Sequence, residues 1–356
     1  MRKLFIIDTY YQLILVIQMK TTLFRNDHFT VLISDHSKNT KMISNIIDEK
    51  KVFEECYFIK TMGNDEKNTK LKDCLSIGLL SSNRYGYILE EIEDCHFDEI
   101  CCFYVGMEIE ALYSILYSIN SNIILSRFEE GMLSYDTGYY PSKKGNLISA
   151  LRKMRRRKSV EEAMTNFYCY YPSLYKGTLM PIGVPLIHMN SETADIIREV
   201  FQPDLSKYSQ RYIFFTSVYD FEGGKPVGEY ELVCKLRNLV GNDNLLVKTH
   251  PRDTRTIYQD NGFNVDKNSS IPWEAIQLSG DFSDKVFMTI NSGSVLSGST
   301  MSENPVRTYY MYKLCDISGN SSCLNNARDI ECLLDNKEMR EILKTVHIAE
   351  RLEDIL

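Results

Sequence analysis

Apolar and polar side chains meet in the stretch Leu245-Leu246-Val247-Lys248-Thr249-His250-Pro251-Arg252. The three apolar residues are typical of the end of a buried parallel strand. Because a proline disfavours helical geometry in the residue before it, we expect the strand to end at His250. In an open α/β sheet, ligands bind just beyond the carboxyl ends of the strands. The stretch therefore predicts an imidazole flanked by two cations at a ligand-binding edge, which suits an anionic, phosphate-bearing ligand. A surface Lys-His pair at a strand end is the alternative.

Short apolar runs alternate with segments of helical periodicity, which predicts βαβ units and doubly wound parallel sheets. The predicted strands are residues 3–7, 29–33, 57–59, 99–105, 122–125, 212–217, 245–249, 262–265, 285–290 and 307–311. After the last of these strands, helical patterns are expected to close the chain from residue 327 to residue 356. Since a single core stops growing near ~250–300 residues, the 356-residue chain is expected to form two domains. Pro181, Gly183 and Pro185 predict a linker, which gives domains of residues 1–188 and 189–356.

The bulk composition excludes several classes of protein. A net charge of −7 argues against wholesale nucleic-acid binding. The ten cysteines contain no CxxC pair, which favours free thiols in a reducing cytoplasm. No run approaches the ~18 apolar residues of a membrane-crossing helix. Asp8, Gln12 and Gln18 interrupt the apolar N-terminal run, so that no signal peptide is expected.

Two adjacent carboxylates, Glu129 and Glu130, follow the predicted strand at residues 122–125 and precede Gly131. The glycine permits a sharp turn at this strand end. Like charges side by side raise the pKa of at least one carboxyl group, and burial raises it further. A carboxylate with a raised pKa suits the work of a general base. The alternative interpretation is a solvated acidic turn.

Two further strand ends carry polar groups. Pro272 and Glu274 flank the single tryptophan, where a helix is expected to begin. The turn Asn291-Ser292-Gly293-Ser294 follows the strand at residues 285–290, and backbone amides with serine hydroxyls at such a helix start bind anions. If two doubly wound domains face each other, all of these strand ends converge on one cleft. A carboxylate base on one wall, with an acid and phosphate-binding groups on the other, is what an inverting glycosyl transfer requires.

The set of motifs resembles the bacterial sialyltransferases of glycosyltransferase family 52 and, more loosely, the bacterial polysialyltransferases. Those families share an acidic-acidic-glycine motif, a His-Pro motif and a serine-rich motif in this order. The present chain carries them as Glu129-Glu130-Gly131, His250-Pro251 and Ser292-Gly293-Ser294. The segment Thr9-Tyr10-Tyr11-Gln12-Leu13 also resembles the first βα turn of the family. The order and spacing of the motifs extend over roughly residues 3–300.

The resemblance implies a GT-B fold, in which two Rossmann-like domains face a central cleft. Residues 1–188 would lie on the acceptor side, residues 189–356 would bind the nucleotide, and the last helix is compatible with packing back on the first domain. The general base would be Glu129 or Glu130, with Glu129 preferred, and His250 would be the general acid that contacts the phosphate of CMP.

The resemblance also assigns the substrate-binding groups. Ser292 and Ser294 would hold the phosphate, and Glu274 would bind the ribose or the cytosine. The remaining residues in the substrate-binding motifs are Thr9, Gln12, Gly131, Lys248, Thr249, Pro251, Arg252, Pro272, Asn291 and Gly293. CMP-sialic acid would be the donor, a capsule or surface glycan the acceptor, and no cofactor or metal is expected because CMP carries a single phosphate. The absence of an Asp-x-Asp triplet agrees with this expectation. A homodimer is compatible with the resemblance.

Residues 152–158, Arg-Lys-Met-Arg-Arg-Arg-Lys, form the most basic segment, and a helix is expected to continue from them through Ser159, Val160 and Ala163. Three interpretations stay open: a solvated helix face, which is favoured, a peripheral contact with the anionic inner face of a membrane, and a contact with an anionic polymer. The neighbouring residues 167–175 are rich in aromatic side chains, which are more often packing than stacking partners of sugars.

Two functional alternatives remain beside sialic acid transfer. One is a GT-B transferase of the same architecture that uses another nucleotide sugar, such as a UDP-hexose, since the serine motif here is split by Gly293. The other is a non-catalytic scaffold in a polysaccharide assembly complex.

Overall fold

Two parallel sheets, one in each half of the chain, carry the fold. The computed structural model describes residues 1–60, 69–80, 83–131, 134–135, 142–222, 224–267 and 271–356. The chain divides between Pro185 and Leu186 into two units, Met1–Pro185 and Leu186–Leu356. The assignment of acceptor and nucleotide to these halves stays a prediction.

The first unit contains a sheet of seven strands in its described residues, in the order β3-β2-β1-β4-β5-β6-β7, with every neighbouring pair parallel. The strands are β1 (Arg2–Ile7), β2 (His28–Ser34), β3 (Glu55–Ile59), β4 (Glu99–Cys102), β5 (Ile124–Phe128), β6 (Met164–Cys169) and β7 (Met180–Gly183). Leu4 and Phe5 in the central strand are fully buried, as expected for a sheet covered on both faces. The strand order reverses between β1 and β4, and such a reversal is where doubly wound sheets bind ligands.

Helices follow these strands and cover the sheet. They are α1 (Tyr10–Thr21), α2 (Thr40–Glu49), α3 (Leu71–Leu79), α4 (Met107–Ile119), α5 (Lys143–Met154) and α6 (Val160–Ala163). Thr9 caps α1, because its side chain accepts a hydrogen bond from the Gln12 N–H at 3.3 Å. Leu13, Ile14 and Val16 of α1 are fully buried, which places a helix that is apolar on several faces inside the protein.

The second unit repeats the same winding in a six-stranded parallel sheet of the order β10-β9-β8-β11-β12-β13. Its strands are β8 (Tyr212–Phe215), β9 (Leu245–Lys248), β10 (Asn264–Asp266), β11 (Val286–Thr289), β12 (Arg307–Tyr310) and β13 (Val346–Ile348). Its helices are α7 (Glu192–Phe201), α8 (Glu229–Val240), α9 (Ile257–Asp260), α10 (Trp273–Ser279), α11 (Ser294–Met301), α12 (Ser321–Asp335) and α13 (Lys337–Ile342). The buried Trp273 ring meets Phe215 and Phe287 edge-on, so the single tryptophan is a core residue. The order reverses between β8 and β11.

Two sequence predictions about strands were wrong. The strand at residues 307–311 is not the last, since β13 pairs in parallel with β12 after the final α-helix ends at Ile342. Three residues are too few for a periodic pattern, and β13 is defined by its pairing. Of the predicted linker, Pro181 and Gly183 lie instead in the edge strand β7, where a proline is tolerated because one side of the strand needs no ladder hydrogen bond, while Pro185 lies at the division between the two units.

The basic segment also differs from its prediction. Helix α5 ends at Met154, Arg156 adopts a left-handed φ of 54°, and a separate short helix begins after Ser159. Ser159 caps that helix through the Glu162 N–H while the Glu162 carboxylate accepts from the Ser159 N–H, which forms a capping box. Arg152 does not belong to the charged surface, because it is buried and ion-paired with Glu110.

The Arg152–Glu110 pair gives a stability prediction. Arg152 also donates to Ser114 Oγ from Nε at 3.2 Å and lies over the Tyr113 ring at 5.1 Å. Glu110→Ala leaves the guanidinium buried without its carboxylate, so we expect a loss of about 3–5 kcal/mol in the free energy of unfolding, measured in urea. As a control, Asp48→Ala removes the exposed Lys51–Asp48 pair and should change the free energy of unfolding by less than about 1 kcal/mol. A loss below that limit for Glu110→Ala would contradict the prediction.

None of the helices in the described part of the chain has the length and apolarity that crossing a bilayer requires.

Candidate active site

The two carboxylates after β5 occupy different environments. Glu129 is fully buried, and its carboxylate accepts hydrogen bonds from the hydroxyls of Tyr11 and Tyr135 and from the Tyr170 N–H at 2.9 Å. Burial raises the pKa of Glu129, and these three donors oppose that rise. A carboxylate held in this way ties α1 to the ends of β5 and β6, and no face of it is open to a substrate.

Glu130 is the carboxylate of the pair that reaches the surface. It is half-buried, and one of its oxygens accepts from Gln12 Nε2 at 2.9 Å. Its pKa is raised by burial, while hydrogen bonds from the side chains of Thr9 and Gln12 lower it. Gly131 follows with a φ of +81°, a backbone conformation that favours glycine and turns the chain away after Glu130. The geometry therefore favours Glu130, rather than Glu129, as a base.

Thr9 and Gln12 orient Glu130 from the end of β1. Gln12 is fully buried, and its amide oxygen accepts the Asp8 N–H at 2.7 Å while its amide nitrogen donates to Glu130. The structure thus brings Thr9 and Gln12, from the segment that resembles the first βα turn of the family, next to Glu130. Both Thr9 and Gln12 act on the carboxylate, and their contact with a substrate stays a prediction.

Sequence reasoning missed two polar residues beside this site. Asp8 lies directly after β1 and accepts the Ser34 hydroxyl at 2.7 Å, and His36 lies close enough to lower the pKa of Glu130 through its charge. In the sequence, Asp8 stands out only as one of the polar residues that interrupt the apolar N-terminal run. The rule that polar residues at strand ends bind ligands would have included it.

His250 follows β9 in the second unit and is half-buried. The backbone N–H of His250 donates a hydrogen bond to Thr216 Oγ1 at 2.8 Å, which ties the residue to the end of β8. Its Nδ1 accepts the Arg252 N–H at 3.1 Å, an arrangement that assigns the proton of the neutral ring to Nε2. Burial and then the charge of Arg252 lower the pKa of His250 below its ordinary value. An anion at Nε2 would act in the opposite direction and favour the protonated ring.

The neighbours of His250 along the chain divide into buried and exposed groups. Lys248 is buried in an ion pair with Asp266 at 3.0 Å, and Thr249 donates its N–H to the Asp266 carbonyl at 3.1 Å. These contacts hold Lys248 and Thr249 to β10 at the strand end. A direct contact of either residue with a ligand stays a prediction. Pro251 and Arg252 are exposed, and the Arg252 guanidinium pairs with Glu222 at 2.6 Å.

The turn after β11 is the candidate anion site. Asn291 is buried and donates to the Cys323 carbonyl at 2.9 Å, while the Ser292 N–H donates to Thr289 Oγ1 at 2.9 Å. Gly293 and Ser294 are exposed where α11 begins. The first turn of a helix offers unpaired amide groups and a partial positive charge to an anion.

The turns that carry these groups lie at the carboxyl ends of strands in the second sheet. Strands β9 and β11 flank β8, so the turns that carry His250 and Ser292 lie two strand spacings, about 10 Å, apart in the sheet. Glu274 lies near the turn after β11, because its half-buried carboxylate accepts a hydrogen bond from the Ser297 hydroxyl of α11. Glu274 is in the first turn of α10, whose N-cap residue is Pro272. Burial raises the pKa of Glu274. Thr216 and Ser297 are the residues here that sequence reasoning missed.

Comparison with known proteins identifies the family. Residues 3–309 match the model of a family described as "Alpha-2,8-polysialyltransferase (POLYST)". The chain belongs to the alpha-2,8-polysialyltransferase family. A comparison with curated protein sequences gave no match. The resemblance inferred from the motifs is confirmed, and of the two families named it is the polysialyltransferases whose model matches.

A solved sialyltransferase structure has the same fold. An alpha/beta-galactoside alpha-2,3-sialyltransferase from Photobacterium phosphoreum is 10% identical, with a TM-score of 0.54 over 100% of this chain and 99% of that chain. A UDP-GlcNAc 2-epimerase from Neisseria meningitidis bound to UDP-GlcNAc is 11% identical, with a TM-score of 0.47 over 98% and 95% of the two chains. The expected GT-B type fold of two parallel-sheet α/β domains is confirmed. The chain is a glycosyltransferase of a sialic acid-transferring family, which removes the non-catalytic scaffold as an interpretation.

Proposed function

We propose that this polysialyltransferase moves sialic acid from CMP-sialic acid to a glycan hydroxyl with inversion and without a metal, in the synthesis of a capsule or surface polysaccharide. Membership of the alpha-2,8-polysialyltransferase family is the observation that carries the proposal. Because that description names an alpha-2,8 linkage, the proposed acceptor is itself a glycan that ends in sialic acid. The ten cysteines are all free thiols, which supports a cytoplasmic site of action.

On the donor side, the groups at the edge of the second sheet match the parts of CMP. His250 presents Nε2 to the phosphate, and the amides and hydroxyls at the start of α11 meet its oxygens. Glu274 is the partner for the hydroxyls of the ribose or the amino group of the cytosine. One phosphate carries less charge than the diphosphate of other sugar donors, so an imidazolium with helix amides can balance it.

On the acceptor side, Glu130 takes the proton of the attacking hydroxyl. The acceptor oxygen forms a bond to the anomeric carbon of the sialic acid while the bond from that carbon to the phosphate oxygen breaks, and CMP departs with its electron pair. His250 donates a hydrogen bond or its proton to the departing phosphate. Attack on the face opposite to the leaving group inverts the anomeric centre.

Nucleotide binding tests the donor. At 100 times its dissociation constant, CMP should add about 2.7 kcal/mol to the free energy of unfolding, seen as a rise in melting temperature. UMP and UDP at equal concentration should add much less. Glu274→Gln should reduce the shift by CMP, while Glu303→Gln, at an exposed carboxylate after α11, should not. Stabilisation by UDP but not by CMP would replace this donor with a UDP-hexose.

A further inference from the structure

The basic segment after α5 is a surface of the first unit. Lys153, Arg155, Arg156 and Lys158 are exposed, and within the described residues Arg155, Arg156 and Lys158 form no ion pair. Residues 143–158 contain eight Lys or Arg and no Asp or Glu, in a chain whose net charge is −7. Positive charge is therefore concentrated on a molecule that is acidic as a whole. Cations near a helix C-terminus favour the helix end, but that role involves one or two of them.

Large apolar side chains lie exposed on the same helix and its neighbour. The exposed fraction is 77% for Met154 and 37% for Leu147 on α5, and 66% for Leu71 and 41% for Leu75 on α3. Single exposed apolar residues are ordinary, but a contiguous group marks an interaction surface.

The spacing of these residues places them along one seam. Helix α3 packs against α5 at Gly78, where an added Cβ would lie 2.6 Å from Leu151 Cβ. Leu71 and Leu75 precede Gly78 by seven and three residues, so helical spacing puts them near the line of α3 that contains Gly78, and their exposure places them at the outer margin of the contact with α5. Leu147 and Met154 flank Leu151 by four and three residues, and their exposure places them in the same way on α5. The four exposed side chains therefore belong to two helices that pack against each other, and we call them the apolar strip.

Cations border the apolar strip. Lys72 follows Leu71, Lys143 lies one helical turn before Leu147, and Lys153 precedes Met154, and all three are exposed. Within the described residues, Glu162 pairs with this border, since its carboxylate lies 3.5 Å from Lys153 Nζ. We call the apolar strip, Lys72, Lys143 and residues 153–158 together the basic face.

We propose that the basic face docks on the surface of a bilayer that contains anionic lipid. The apolar strip enters the boundary between headgroups and acyl chains, and the surrounding cations meet lipid phosphates. A soluble anionic polymer would be held by the cations, but it offers nothing to four exposed apolar side chains. Arg152, buried against Glu110, takes no part. Docking would hold the transferase beside membrane-attached acceptors, which goes beyond the transfer reaction itself.

Sedimentation of the full chain with vesicles tests the proposal. The protein should sediment with vesicles that contain phosphatidylglycerol and remain in solution with vesicles of phosphatidylcholine alone. Each cation at an anionic surface strengthens partitioning about fivefold, so Arg155→Gln/Arg156→Gln/Lys158→Gln should weaken it roughly 100-fold. Leu71→Gln/Met154→Gln should weaken it at least about tenfold. Lys51→Gln/Lys207→Gln/Lys225→Gln removes three exposed cations elsewhere and should bind like the unchanged protein.

The apolar variant decides between the two anionic partners. If Leu71→Gln/Met154→Gln sediments like the unchanged protein while the basic variant loses binding to heparin, the basic face holds an anionic polymer and the proposal is overturned. Equal sedimentation with neutral vesicles, or full binding by the basic variant, also overturns it. Thermal unfolding of each variant shows that a loss of binding does not come from a loss of fold.

Discussion

His250→Asn is expected to lower kcat for sialic acid transfer by roughly 100- to 10,000-fold, the range that removal of a positioned proton donor produces. An asparagine side-chain oxygen can replace Nδ1 as the acceptor of the Arg252 N–H, so the local turn is retained. What the variant lacks is Nε2, the atom assigned to the phosphate of the donor. Steady-state kinetics with CMP-sialic acid and a sialylated acceptor measures the effect.

His347→Asn is the matched control for this substitution. His347 also belongs to the second unit and also has a lowered pKa, but it lies on β13 against Tyr309, away from the strand reversal. Its replacement should leave kcat unchanged. A His250→Asn enzyme with the kcat of the unchanged protein would remove His250 from the mechanism.

The pH dependence supplies a second measurement on His250. A proton donor must be protonated, and the pKa of His250 is lowered from its ordinary value of 6.5, so kcat/KM should fall as pH rises through a value below 6.5. The bound phosphate favours the imidazolium and raises this pKa in the complex. The alkaline fall in kcat should therefore occur at a higher pH than the fall in kcat/KM.

Glu130→Gln is expected to lower kcat by a similar factor of roughly 100- to 10,000-fold, because the amide cannot accept the proton of the acceptor hydroxyl. The fold should survive, since Glu130 is half-buried and glutamine keeps an oxygen for the bond from Gln12. The burial that raises the pKa of Glu130 above 4.5 predicts, for the unchanged protein, that kcat/KM falls as pH drops through that raised value. Binding of CMP should be unaffected.

Glu129→Gln is the comparison that separates chemistry from stability. The Glu129 carboxylate accepts three hydrogen bonds in a buried site. The NH2 group of a glutamine would face at least one of the three groups that now donate to the carboxylate. A buried donor left without an acceptor costs about 1–3 kcal/mol, so this variant should unfold more easily in urea. If Glu129→Gln keeps its stability while Glu130→Gln keeps its turnover, the assignment of the two carboxylates is wrong.

Much of the architecture was predictable because it rests on local sequence patterns. Short apolar runs separated by helical periodicity predicted a parallel α/β fold, and the strands that carry the motifs, β1, β5, β9 and β11, were located from the sequence. The order of Glu129-Glu130-Gly131, His250-Pro251 and Ser292-Gly293-Ser294 predicted the family. The strand β13 and the edge strand β7 could not be predicted, since each is defined by its pairing with a strand that its own sequence does not specify.

The sequence by itself determined that polar groups suited to a proton transfer and an anion stand at the carboxyl ends of parallel strands. Tertiary structure alone decided which of them are open to a ligand. The three donors that enclose Glu129 come from residues 118, 41 and 6 positions away, and Arg152 is neutralised by Glu110 at a separation of 42. Burial and ion pairing depend on such distant partners, and two adjacent glutamates that are alike in sequence therefore become a structural anchor and a candidate base.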